Sequence, residues 1–216
     1  MKTAVQLDFD GTITEEDVSY LLLDTYAGNG WRTYLEAYES GKITVGAFNK
    51  LAFSLVKASL EEMEQLIFTS PHVKVRPGFR EFIRYCQGKE YFVQVTSNGL
   101  RFYVEAILQH QGITGVDIHA AENEFIDGQV DVCYLGPDGN EVDTEFKTAF
   151  TRQLKEQGFT VIYTGNGKSD IYSARMADYV FATEDLLAQC RQEGLAHTPF
   201  KDFNDILAGI KSLYIS

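Results

Sequence analysis

The chain has 216 residues, 44% hydrophobic and 13% aromatic, long enough to bury a sizeable core and leave room for a small accessory domain. A net charge of −12, from 31 acidic and 19 basic residues, disfavours nucleic acid and anionic membranes as partners. Three scattered cysteines (Cys86, Cys133, Cys190), four histidines without ligand spacing, and no signal peptide or membrane-length apolar run argue against a disulfide framework, a zinc cluster and a bilayer span, and predict a cytoplasmic protein.

Thr3 to Leu7 reads as a buried strand that ends on Asp8. Asp10 follows two residues later, and Gly11 lets the chain turn. Residues two apart in an extended segment share a side, so the two carboxylates converge at the strand end. Such a pair repels unless a shared proton, a cation or a metal ion compensates. From Glu15 to about Phe68 the pattern is helical. Leu21, Leu22 and Tyr26 form one stripe, and Phe48, Leu51 and Leu55 form another. Gly28-Asn29-Gly30 and Gly41 break the helices, Thr44 is a candidate cap, and Ser59 with Glu61 and Glu62 resembles a capping box. This predicts a helical cap over residues 15–74, inserted into a core made of residues 1–14 and 75–216.

Arg76-Pro77-Gly78-Phe79 marks the return to the core and starts a helix through Phe82, Ile83 and Cys86. Tyr91 to Val95 is a strand. Thr96-Ser97-Asn98-Gly99 is then predicted as a hydroxyl-rich turn before a helix from Leu100 to Gln111, whose N-terminus would suit a phosphate. Val116 to His119 is a further strand. Phe125 to Leu135 alternates around an Asp127-Gly128 hairpin signal, and Pro137 to Asn140 is a tight turn. Lys147 lies near the start of a helix running from Phe146 to Gln157. Phe159 to Tyr163 is a buried strand, followed by the polar turn Thr164 to Asp170 and a helix from Ile171 to Met176. A strand from Asp178 to Phe181 and helices over 184–193 and 202–213 complete the chain. The alternation predicts an α/β fold, a doubly wound and mostly parallel sheet with ligands at the carboxyl ends of its strands.

Asp8, Asp10, Thr12, Ser97, Asn98, Lys147, Asn166 and Asp170 are the candidate site residues. Their oxygens suit a hard cation such as Mg2+, and the lysine, hydroxyl and helix-terminal N–H groups suit a phosphoryl group. Asp8-Phe9-Asp10-Gly11-Thr12, Val95-Thr96-Ser97-Asn98-Gly99, Lys147 and Gly165-Asn166-Gly167-Lys168-Ser169-Asp170 resemble, in order, the four motifs of the haloacid-dehalogenase superfamily. The helical insertion resembles the cap of its phosphoserine-phosphatase branch. The runs Arg76 to Phe82, Asp178 to Ala182, Leu186 to Arg191 and Pro199 to Phe203 are similar to methionine-salvage phosphatases.

This resemblance implies a Rossmann-like sheet and a Mg2+-dependent phosphatase acting on a small phosphorylated metabolite. Asp8 would be the nucleophile and Asp10 the acid and base. Thr12, Ser97, Asn98 and Lys147 would hold phosphate, and Asp8, Asp10, Asn166 and Asp170 the metal. Asn166 stands where the family usually has aspartate, which predicts weaker Mg2+ binding. A phosphomutase uses the same pair of aspartates, and a weakly active binding protein is the alternative from another class. Glu15, Glu16, Trp31, Arg32, Lys42 and Arg101 are candidate substrate contacts.

Overall fold

Every residue of Thr3–Leu7 (β1) is buried, as expected of a central strand with helices on both faces. The computed structural model describes residues 2–126, 129–142 and 144–213. In it β1 pairs in parallel with Phe92–Leu100 (β2) and with Thr160–Gly165 (β5). Asp117–Ile126 (β3) and Gln129–Cys133 (β4) extend one flank, and Tyr179–Ala182 (β6) and Thr198–Pro199 (β7) extend the other. The order β4-β3-β2-β1-β5-β6-β7 is parallel throughout except for the antiparallel β3–β4 pair. The predicted doubly wound sheet is thus present. Asp127 and Gly128 lie outside the described residues. β7 was not predicted, because two residues carry no periodicity.

Four helices lie between β1 and the return of the chain: Val18–Tyr26 (α1), Trp31–Glu39 (α2), Val45–Phe53 (α3) and Leu60–Thr69 (α4). Asp17 caps α1, Thr44 caps α3, and Ser59 with Glu62 forms a capping box on α4. The ends of this segment meet. Thr14 bridges Val75, Glu15 N donates to Lys74 O at 2.8 Å, and Arg76 N donates to Ile13 O at 2.8 Å. Trp31 is fully buried among these helices, 5.3 Å from Tyr20 and 6.4 Å from Phe48 between ring centroids. It is a packing residue and not the substrate contact anticipated for it.

Phe79–Gly88 (α5) and Phe203–Leu213 (α10) pack through Phe79, Phe82 and Phe203. Arg101–His110 (α6), Phe146–Glu156 (α7), Ile171–Met176 (α8) and Glu184–Glu193 (α9) complete the layers. Cys86 and Cys190 are buried and Cys133 is partly exposed, all three as free thiols. Among the described residues no helix is long and apolar enough to cross a membrane.

One local prediction is corrected. Thr96 to Gly99 is not a turn before a helix. β2 runs on to Leu100 with a register shift after Thr96, and α6 begins at Arg101. Ser97 therefore sits in an irregular strand end, four residues before the first residue of α6.

Candidate active site

Asp8 N donates to Thr164 O at 2.9 Å, which continues the β1–β5 pairing and brings the Asp8 carboxylate out between β2 and β5. Lys147 enters from the first turn of α7, where Gln6 Nε2 holds its carbonyl at 3.0 Å. Glu145, just before it, adopts a left-handed φ of 59°, the kind of strained backbone that concentrates at functional sites. Lys147 Nζ donates to Asp8 Oδ1 and to Asp170 Oδ1, each at 2.6 Å. Tyr163 also donates to Asp170 Oδ1 at 2.6 Å, and the backbone N–H groups of Asn166 (3.0 Å) and Gly167 (2.8 Å) occupy Asp170 Oδ2. Asp170 is fully buried with both oxygens engaged. It anchors Lys147.

Burial first, and then the Asp170 charge, push the Asp8 carboxyl up to about 7 against the pull of Lys147. Burial disfavours the Lys147 ammonium, but Asp170 and Asp8 outweigh it and hold the group above its ordinary range. The lysine alone thus does not hold Asp8 at a normal carboxylate pKa.

Asp10 has a different environment. Val18 N–H donates to Oδ1 at 2.9 Å and the Tyr103 hydroxyl to Oδ2 at 2.6 Å, with Ser97 Oγ at 3.4 Å. Ser19 Oγ lies 2.8 Å from the Tyr103 oxygen, so a hydroxyl chain connects α1 to Asp10. Burial raises Asp10 against the hydrogen bonds from Tyr103 and Val18. Tyr103 was missed in the sequence because it looked like one more apolar position of α6. Gly99, read from the sequence as part of a turn, lies inside β2, where a glycine marks a close approach. A Cβ there would lie 1.6 Å from Tyr103 Oη and 2.4 Å from Asp10 Oδ2.

Thr12 is fully buried, with its hydroxyl 3.2 Å from Asp8 Oδ2 and 3.1 Å from Asn166 Oδ1. It braces these two oxygens and is not among the residues that line the cavity. Asn98 Nδ2 reaches Ser169 Oγ at 3.2 Å, and its carbonyl accepts from Asn49 on α3 (2.8 Å) and from Tyr134 (2.6 Å). Ser97 and Asn98 both line the cavity.

The oxygens beside Thr12 fit Mg2+. A carboxylate oxygen of Asp8 and the amide oxygen of Asn166 meet there, both hard donors of the kind Mg2+ takes. Among the described residues no three His, Cys, Asp or Glu side chains form a metal cluster, because the family's usual aspartate is the amide of Asn166.

These groups form the floor of a cavity of about 520 Å³. Its walls carry Glu15, Glu16, Asp17, Glu39, Glu184 and Asp185, with Tyr20, Tyr38 and Phe48, while Lys147 and Lys168 are its only cations among the described residues. Burial and the nearby Asp10 hold Asp17 well above the ordinary range. A second cavity of about 570 Å³ adjoins past Lys147 and carries Val45, Phe146, Ile171 and Tyr172. Glu15 and Glu16 thus line the site as anticipated, and the other candidates do not. Arg32 pairs with Asp24, Arg101 is taken by Glu105 and Glu122, and Lys42 lines neither cavity.

The chain is 30% identical over 95% of its length to the bifunctional enzyme MtnB/MtnX of Bacillus licheniformis, of which it spans 48%. It is 28% identical to 2-hydroxy-3-keto-5-methylthiopentenyl-1-phosphate phosphatase of Brevibacillus brevis, covering 95% of this chain and 94% of that one. A solved phospho-aspartyl intermediate analogue of phosphoserine phosphatase superposes with a TM-score of 0.71 at 20% identity, covering 96% of this chain and 98% of that one, and so shares the fold. The family model for haloacid dehalogenase-like hydrolases matches residues 5–175, and this chain belongs to that family.

Proposed function

We propose that this chain is a phosphomonoesterase that works through a phosphorylated Asp8. The carrying observation is the division of labour between the two carboxylates. Asp8 touches an ammonium on one oxygen and turns the other toward Thr12 and Asn166, while Asp10 is held by a phenol and a peptide N–H. Asp8 attacks phosphorus in line. Lys147, Ser97 and Asn98 stand around the position of the phosphoryl oxygens. Asp10 delivers its proton to the leaving oxygen and then takes one from the water that hydrolyses the aspartyl-phosphate. Asp8, the Asp10 carbonyl and Asn166 would hold Mg2+, which neutralises charge on the phosphoryl group. The helices of residues 15–74 act as a cap that selects the leaving group and excludes water.

The charge of the cavity favours a substrate class. Six carboxylates line its walls, and both cations sit on the core side with the phosphate. A leaving group carrying a carboxylate, such as that of phosphoserine, meets no free cation there. A neutral hydroxyketone or polyol is accommodated, and Val45, Phe146 and Ile171 in the adjoining, otherwise largely polar cavity offer surface to a short thioether or alkyl tail. This agrees with the methionine-salvage reading of the sequence and with a cytoplasmic metabolite as the partner.

A panel of neutral, carboxylate-bearing and ammonium-bearing phosphate esters, read out as free phosphate, tests the proposal. Neutral esters should turn over fastest and Asp8→Asn should abolish release. Hydrolysis that persists in Asp8→Asn, an isomeric ester as product, or no hydrolysis of any ester by wild type would refute it.

A further inference from the structure

Glu184 belongs to none of the sequence motifs. It opens α9 with a left-handed φ of 50°, a conformation that costs a non-glycine residue about 1 kcal/mol or more. Backbone hydrogen bonds on both sides hold it there, Thr183 N to Gly165 O at 3.2 Å and Leu186 N to Asn166 O at 2.8 Å. These bonds join the β5 loop to the start of α9 and set the Glu184 carboxylate against the Asn166 side chain. Asn166 Nδ2 donates to Glu184 Oε2 at 2.8 Å. The Arg76 guanidinium, itself bonded to Gly11 O and Lys201 O, lies 3.7 Å away and steadies the carboxylate from the other side. With Nδ2 committed outward, Asn166 Oδ1 faces inward, beside Thr12 and Asp8 Oδ2. The Glu184 side chain is 54% exposed, so its ion pair with Arg76 is too weak to account for the strained backbone.

We propose that Glu184 is a positioning residue for the divalent-cation site: it fixes the Asn166 amide with its oxygen inward and supplies, one step outside the ligands, the negative charge that Asn166 lacks. The inference rests on the metal-assisted reading above. An aspartate at position 166 would need neither service. Either of its oxygens could face the cation, and its charge would repel Glu184. Glu184 should therefore help the protein that has Asn166 and not the one that has aspartate there.

Mn2+ is the probe. Its binding to metal-free protein without substrate is followed by the paramagnetic resonance signal of the free ion. Glu184→Gly should weaken Mn2+ binding about tenfold. Its melting temperature should not fall, because glycine relieves the left-handed backbone. Glu184→Gln, which still accepts from Asn166 but carries no charge, should lose less. In an Asn166→Asp background, Glu184→Gly should leave Mn2+ affinity unchanged or improve it. Equal losses in the two backgrounds, or no loss with Asn166 in place, would overturn the inference. Failure of wild type to bind Mn2+, or binding that survives Asp8→Ala, would instead remove the cation reading itself and this inference with it.

Discussion

The floor and the walls of the cavity are built on opposite principles. On the floor, Asp8, Lys147, Asp170 and Tyr163 are buried and joined by short hydrogen bonds, and opposite charges face each other at 2.6 Å. On the walls, Glu15, Glu16, Glu39 and Asp185 line the same space, and among the described residues no Lys or Arg of residues 15–74 lines it with them. A buried ionic network tolerates little variation, because every group left without its partner retains its desolvation cost. A solvated wall can change charge at small cost to stability. The floor is thus suited to one chemical step, and the walls to choosing what undergoes it.

The comparison is sharpened first at Asp10, which belongs to the floor but is tied to the cap through Val18 and the Ser19–Tyr103 chain. Asp10→Asn should slow hydrolysis of alkyl phosphates by about 10²–10⁴-fold, and of p-nitrophenyl phosphate much less, since that leaving group needs no proton. Equal losses on both esters, measured as kcat/KM, would deny Asp10 the role of acid. Lys147→Met should cost about 3–5 kcal/mol of stability in denaturant unfolding, because it leaves two buried carboxylates facing each other. Glu39→Gln on the wall should change stability by about 0.5 kcal/mol or less. Similar losses for the two would erase the distinction between floor and wall.

Asp8 on the floor also makes stability depend on pH. Asp8 is held up to about 7 in the folded protein, against about 3.9 for an unfolded aspartate. The folded state therefore binds the extra proton between these values, and stability falls as pH rises through that window. Metal-free protein should melt a few degrees higher at pH 5.5 than at pH 8. Saturating Mg2+ should narrow the gap. A melting temperature that rises with pH over this range would contradict the assignment.

The floor was legible in the sequence because its residues stand at strand ends and helix starts, where spacing and residue type already imply convergence. Asp8, Lys147 and Asn166 were found in this way. What escaped depended on contacts across the chain. Tyr103 meets Asp10 only because Gly99 has no side chain in the way. Glu184 meets Asn166 only because two backbone bonds join α9 to the β5 loop. Thr12 was assigned to phosphate because it follows Asp10 in the motif, yet the turn at Gly11, with a φ of 70°, directs it beneath the carboxylates. Arg101 looked free beside its motif, although Glu105 at i+4 was a visible competitor and Glu122 lies on the adjacent strand.

The neck at Thr14 and Val75 has a consequence for how such a molecule can diversify. The inserted helices leave and return through one pair of bonded residues, with Glu15 N on Lys74 O and Arg76 N on Ile13 O. The loop is closed at its base, so an insert of another length adds only slowly to the closure entropy. Strand register, set by the β1 pairings with β2 and β5, lies outside the loop. A replacement segment could therefore be grafted at this joint, provided it again offers Asp10 and Asn98 the groups that Val18 and Asn49 supply.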